Sequence, residues 1–269
     1  MVHQRRFVDA LGRSVDIPEP PQRIVSLVPS LTEALFAFGL RERIVGVTRY
    51  CVEPAEGVAY KAKVGGTKNV DVATVRELRP DIVFANVEEN TKPDIEALEA
   101  AGLRVFLTYA RTVAEAISEL QMLAEITGTA AAADPILHDA IAALGEAHSV
   151  SRPAVRTFCP VWRNPWMTIG PDTYIHDVLT VCGAENVYGE ASERYPGIEL
   201  SDVAGRQPEL VLLPDEPYRF SEKNLPEVIE ALPGVRIELV DGKMLCWYGP
   251  RIGPSLRKLQ GIIHGDTGV

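Results

Sequence analysis

The sequence predicts an α/β protein built as two related lobes with mainly parallel sheets. Residues 71–85 are echoed by residues 200–214, and each stretch reads as a short helix, a Pro-acidic turn and a buried strand. The echo continues in residues 95–107 and 228–240, which each give a helix, a glycine (Gly102, Gly234) and a strand. The strand candidates are short, uninterrupted apolar runs such as residues 82–85, which suits a sheet covered on both faces. Their alternation with helices favours parallel pairing. Two lobes of related plan imply a ligand cleft between them.

The elements follow in order. Residues 7–17 read as a hairpin around Gly12, ended by Pro18, Pro20 and Pro21. Residues 23–28 form a short apolar strand, and Pro29 turns the chain into a helix ending at Gly39. Ser30 and Glu33 have the spacing of a capping box at that helix start. Residues 43–47 give the next strand, residues 60–66 a glycine-containing loop, and Asp71 caps the helix before strand 82–85. The polar loop 86–91 leads to the echoed helix and strand, and residues 112–126 read helical up to Gly128. Residues 130–148 form a helix of ~18 residues and ~27 Å, a rigid spine linking the lobes. The second strand set begins at residues 156–158. A long aromatic segment, 160–171, follows, and Asp172 or Thr173 caps a helix ending near Gly183. A helix from about Leu225, a strand at 235–240 and a final helix to about Ile263 complete the chain. The expected domains are an N-terminal lobe with leading hairpin (1–128), a linking helix (129–150) and a C-terminal lobe (151–269).

A length of 269 residues supports two cores, and 46% hydrophobic content excludes a disordered chain. The net charge of -10 argues against nucleic acid as a partner. No apolar run is long enough to span a membrane, and no apolar h-region follows the basic start, so no secretory signal is read in this chain. Cys51, Cys159, Cys182 and Cys246 are scattered without metal or redox spacing and read as isolated buried thiols. The histidines show no mutual spacing, so no metal site is assigned, and His176 reads as structural. Phosphate-loop, nucleophile-elbow and dinucleotide fingerprints are all absent. No catalytic residue is assigned, no cofactor is expected, and the chain reads as a binding protein, not an enzyme.

The candidate binding residues lie at strand ends. Trp162 and Trp166 sit in the Pro-rich loop, Trp247-Tyr248 precede Gly249-Pro250-Arg251, and Tyr50-Cys51 follow strand 43–47. Aromatic rings on such loops give a rigid apolar wall for an organic ligand; the alternative is that they seal a core. Cys51 is a weak soft-metal candidate. Glu88-Glu89 and Asp215-Glu216 follow the two echoed strands. They read as solvated loop charge or as acids shown to a basic partner, and a two-carboxylate glycosidase pair would need a fixed separation.

Residues 23–33, Val45-Gly46-Val47-Thr48, Val64-Gly65-Gly66 and residues 78–83 resemble the first lobe of class III (helical-backbone) substrate-binding proteins of ABC importers. Residues 170–187 and residues 208–211 resemble the second lobe, and the resemblance covers about Phe7 to Ile263. It is nearest the cobalamin-binding branch. The resemblance implies two Rossmann-like lobes joined by a long helix, with a corrinoid held between them by Tyr50, Trp162, Trp166 and Trp247. Cys51, Tyr248 and Arg251 complete the candidate ligand set. Glu88 or Glu89 and Glu216 would face the importer's membrane subunits, where reciprocal charge steers docking. A monomeric periplasmic or cell-surface receptor is expected, with a cytoplasmic location left open by the leaderless start. Haem, a ferric siderophore or another metal chelate is the alternative ligand, and an intracellular corrinoid carrier or a hydrolase is the alternative function.

Overall fold

Residues 3–266 are described by the computed structural model. They form two units. The first holds the chain up to Ala110, Ala116–His138 and Tyr248–Pro250; the second holds Arg111–Glu115, Asp139–Trp247 and the chain from Arg251.

The first unit opens with the expected hairpin, Gln4–Val8 antiparallel to Ser14–Pro18 with Phe7 opposite Val15. Its turn closes on the Asp9 carboxylate, which accepts from the Leu11 and Arg13 amides at 3.0 Å and from the Arg13 guanidinium. The main sheet is parallel throughout, in the order Ala62–Lys63, Ile44–Val47, Ile24–Ser26, Ile82–Asn86, Val105–Thr108. Strand Ile82–Asn86 is buried at every position, as its unbroken apolar run requires. Ile95 and Leu98 of helix Lys92–Ala100 close one side of the core over Val25, Val83 and Val105. Burial of Phe84, which has no exposed surface, stabilises the fold by roughly 2–3 kcal/mol.

Two helix starts tell different stories. Asp71 caps Val72–Glu77 as expected, its carboxylate accepting from the Thr74 amide at 3.0 Å. The Ser30–Glu33 capping box does not form. Val28 is the cap residue of helix Pro29–Ala37, no side chain caps it, and Ser30 is buried inside the helix. The physical reason is Pro29: at the first helical position it has no N–H to satisfy, and its fixed φ starts the helix two residues earlier.

The second unit repeats the plan. Its parallel sheet runs Ala184–Asn186, Val155–Phe158, Leu210–Pro214, Arg236–Val240, with Leu210 beside Arg236 and Pro214 beside Val240. Phe158, Val211 and Leu213 pack with Val203 and Val228 from the covering helices. Thr173, rather than Asp172, caps helix Tyr174–Val181. The internal echo reaches the backbone: Arg79 and Gln207, each before the Pro of the turn, take φ of 47° and 52°. Gly102 and Gly234, which close the following helices, both have φ of 80°, a region open to glycine without Cβ strain.

Helix Ala130–Ser149 is longer than expected by about a residue and extends about 30 Å. Its first nine residues belong to the first unit and the remainder to the second. Within the second unit, final helix Ile252–His264 lies against it. A Cβ on Gly253 would meet Asp139 Oδ2 at 2.0 Å, so glycine is what permits that approach. Arg257 then reaches Asp139 and Glu146 at 2.8 Å each.

Candidate functional site

In the first unit, strand Ile44–Val47 delivers Tyr50 to the surface, where the residue is 53% exposed. The Arg49 guanidinium lies 5.1 Å from the ring centroid. Gly66 makes room for this pair: a Cβ there would meet Asn69 Oδ1 at 2.4 Å, Arg49 Nη2 at 2.9 Å and the Tyr50 ring at 3.1 Å. Cys51, one residue on, turns the other way. It is buried, with Sγ 3.1 Å from Thr32 Oγ1 and 3.2 Å from Thr48 Oγ1. Burial pushes its thiol up, against the opposing effect of the two threonines, so it is a neutral thiol at neutral pH.

Glu88 and Glu89 sit on a loop organised by buried Asn86, the last residue of its strand. Asn86 Oδ1 accepts from the amides of Glu88 (2.8 Å) and Glu89 (3.2 Å), and Asn86 Nδ2 donates to Tyr248 Oη (2.6 Å) and Thr108 Oγ1 (3.1 Å). Asn90 Oδ1 accepts from the Asn86 amide, and Asn90 Nδ2 donates to the Thr67 carbonyl. Lys68 Nζ donates to the Glu88 carbonyl. Glu89 is solvent-accessible but set among surrounding protein. Desolvation raises its pKa, Lys68 opposes the shift and Glu88 adds to it. Tyr248 is buried, and its phenol is driven well above its ordinary range by burial.

In the second unit, hairpin Pro160–Trp162 with Met167–Thr168 carries the aromatic segment. Trp162 is 44% exposed and meets Tyr218 edge-on at 5.7 Å. Tyr218 packs on Phe220 at 4.7 Å, and Phe220 stacks on buried Trp166 at 5.6 Å and 12°. Glu227 ties the hairpin down, accepting from Arg163 Nε at 2.8 Å and from Trp166 Nε1 at 3.2 Å. Trp162 is thus the outward end of an aromatic ladder whose inner rings fill the core.

Trp247 is buried, and its Nε1–H donates to Glu216 Oε2 at 2.9 Å. The Lys243 ammonium and Arg251 guanidinium lie 5.0 and 5.6 Å from its ring. Glu216 is half-buried; desolvation raises its carboxyl pKa, the Trp247 bond and Lys243 pull it back, and Asp215 and Asp241 push it up. Of the candidate residues, Tyr50 and Trp162 present exposed rings and Arg251 is half-buried. Cys51, Trp166, Trp247 and Tyr248 are buried.

Reading the sequence missed Asn86 and Thr108, because an asparagine and a threonine at strand ends carry no pattern of their own. It also missed a shallow depression of the second unit lined by Arg111, Glu115, Asp172, Thr173, His176 and Asp177. Its charges are spent internally: Arg111 Nη1 reaches Asp172 Oδ1 at 2.9 Å, and Asp177 Oδ2 accepts from the Val113 amide at 2.7 Å. His176 is held below its ordinary pKa, chiefly by burial. Among the described residues no group of three or more His, Cys, Asp or Glu could hold a metal ion, and no helix is long and apolar enough to cross a membrane.

Two parallel α/β units and one long helix are the elements of the class III substrate-binding fold. A family model described as periplasmic binding protein matches residues 24–236, well over half of the chain, and the chain belongs to that family. It is 28% identical over 272 aligned residues to an uncharacterized ABC transporter substrate-binding lipoprotein, YvrC of Bacillus subtilis (strain 168), covering 96% of this chain and 85% of that one. A periplasmic heme-binding protein, RhuT from Roseiflexus sp. RS-1, superposes with a TM-score of 0.79 at 20% identity, covering 91% of this chain and 98% of that one. The periplasmic vitamin B12 binding protein BtuF of Vibrio cholerae superposes with the same TM-score at 18% identity, covering 93% and 99%. Members of this class are transport receptors, not enzymes; they take up a small-molecule ligand and work with importer membrane components. The fold supports an extracytoplasmic location.

Proposed function

We propose that this receptor captures a planar metal chelate of the tetrapyrrole class, with haem as its first ligand, and delivers it to an ABC importer. The observation that carries this reading is the pair of exposed rings, Tyr50 backed by Arg49 and Trp162 at the end of its aromatic ladder. Large exposed rings on strand-end loops offer flat apolar faces to a macrocycle. Arg49 and Arg251 add guanidinium groups suited to the carboxylates such a macrocycle carries. The haem-binding Roseiflexus relative of the same fold supports this ligand. A corrinoid is the second reading, and the vitamin B12-binding Vibrio relative favours it. Acidic Glu88, Glu89 and Glu216 are proposed as the residues shown to basic importer subunits, acting on encounter rate and orientation more than on affinity.

Absorbance titration with hemin, cyanocobalamin and a ferric hydroxamate in parallel tests the assignment. The proposal expects saturable 1:1 hemin binding with a shifted haem band, and tighter than cyanocobalamin. Saturation by cyanocobalamin alone replaces the first ligand with the second, and saturation by neither macrocycle sinks the tetrapyrrole reading.

A further inference from the structure

The consecutive residues Trp247 and Tyr248 each turn their one polar group inward, and each meets the support of an acidic loop. Tyr248 Oη accepts from Asn86 Nδ2 at 2.6 Å and lies 3.0 Å from Thr108 Oγ1. The same Asn86 holds the Glu88 and Glu89 amides through its Oδ1. With Nδ2 anchored on the phenol and Thr108, the amide plane cannot rotate without releasing those two N–H groups. Trp247 acts on Glu216 directly, through the 2.9 Å bond from its indole N–H. That loop is fitted to the segment from behind as well. Gly242 N donates to Asp215 Oδ1 at 2.7 Å, and a Cβ on Gly242 would meet Glu216 N at 2.6 Å and Glu216 O at 2.8 Å.

We propose that the Trp247-Tyr248 dipeptide is the positioning element for both acidic loops, Tyr248 through Asn86 for Glu88-Glu89 and Trp247 for Glu216. Each residue acts on the acidic loop of its own unit, Tyr248 in the first and Trp247 in the second. This rests on the reading of those acids as importer-facing; the positioning itself is a property of the isolated chain. Three observations fit it together. Both rings are buried, so neither polar atom is held for solvent. Buried polar groups are conformationally costly to unpair, so each bond fixes its partner strongly. Asn86 is the last residue of a strand buried at every position, so its side-chain amide takes its orientation from the hydrogen bonds it makes with Tyr248, Thr108 and the loop amides. The Glu216 carboxyl, raised by desolvation, is pulled down by the Trp247 bond, so its titration reports that bond.

Hydrogen exchange of the Glu88 and Glu89 amides and carboxyl-carbon NMR titration of Glu216 test the proposal on the full chain. Tyr248→Phe keeps the ring and removes the anchor; the Glu88 and Glu89 amides are expected to exchange at least about tenfold faster. Thr108→Val, which removes the second anchor, is expected to act in the same direction and serves if Tyr248→Phe folds poorly. Trp247→Phe is expected to raise the Glu216 pKa further while leaving the Glu88 and Glu89 amides protected. Ile24→Val, a buried change elsewhere in the first unit, separates positioning from general loosening and is expected to move neither readout. Wild-type exchange at Glu88 and Glu89 in both hydroxyl variants, an unmoved Glu216 in Trp247→Phe, or equal effects from Ile24→Val overturns the proposal. Importer-dependent uptake with Glu88, Glu89 and Glu216 changed to lysine is read separately. Unchanged uptake there removes the docking reading and leaves the two isolated-chain readouts as they stand.

Discussion

Replacing Gly242 by alanine inserts one methyl group where there is no room for it. The new Cβ would sit 2.6 Å from the Glu216 amide nitrogen and 2.8 Å from both its Cβ and its carbonyl oxygen. To regain ordinary van der Waals separation the Glu216 backbone must retreat by roughly 0.8 Å. Backbone atoms have no rotamer to escape into, so the cost falls in the overpacking range of about 1–3 kcal/mol. A shift of that size also stretches the 2.9 Å bond from Trp247 Nε1 to Glu216 and the 2.7 Å bond from Gly242 N to Asp215. Urea unfolding followed by tryptophan fluorescence reads the effect selectively, because Trp162, Trp166 and Trp247 all belong to the second unit. The midpoint is expected to fall by the equivalent of about 1–3 kcal/mol, with faster exchange of the Trp247 indole proton. A Gly242→Ala protein within about 0.5 kcal/mol of wild type, its indole still protected, would refute the close-approach argument.

Other outcomes follow from the same geometry. The folded chain holds the Glu216 proton more tightly than the unfolded chain, so the associated stability is full below the usual pKa of 4.5 and lost as pH rises through the raised folded value. Glu216→Gln keeps an acceptor for Trp247 and removes that loss; its melting temperature is expected above wild type at about pH 7 and level with it at about pH 4, checked by calorimetry. Trp162→Ala is expected to weaken hemin binding by about 2–10-fold while leaving the melting temperature nearly unchanged, since the ring stands at the exposed end of its ladder; unchanged hemin affinity removes Trp162 from the ligand surface. Burial pushes Cys159 and Cys182 up to about 12 and raises Cys51, so limited iodoacetamide treatment at about pH 8 is expected to mark half-buried Cys246 first, read by peptide mass spectrometry. Early labelling of Cys51 would contradict its burial between Thr32 and Thr48.

The fold was legible because its signals are redundant. Residues 71–85 and 200–214 repeat a helix-turn-strand pattern, and the structure repeats even the positive φ at Arg79 and Gln207. An unbroken apolar run such as residues 82–85 has one comfortable home, the middle of a parallel sheet. The Ser30–Glu33 start was misread because two valid N-terminal signals compete there, and proline at the first helical position prevails over a side-chain cap. The site was less legible because exposure is a tertiary property. Tyr50 and Cys51 are adjacent, yet one ring is open to solvent and the other side chain is closed between two threonines. Trp162 and Trp166 share one loop and divide in the same way. Nothing in the sequence marks Asn86 as the support of the Glu88-Glu89 loop, since its role depends on a tyrosine 162 positions away. Ligand identity was least legible of all: the residues that resemble the corrinoid branch are scaffold, and relatives of the same fold take haem or vitamin B12.

Native mass spectrometry of the chain incubated with equimolar hemin and cyanocobalamin tests the central claim most directly. The account expects one chelate per chain, predominantly hemin, and a shift toward free chain when Tyr50 and Trp162 are both changed to alanine. A wild-type chain that emerges with neither macrocycle bound contradicts it.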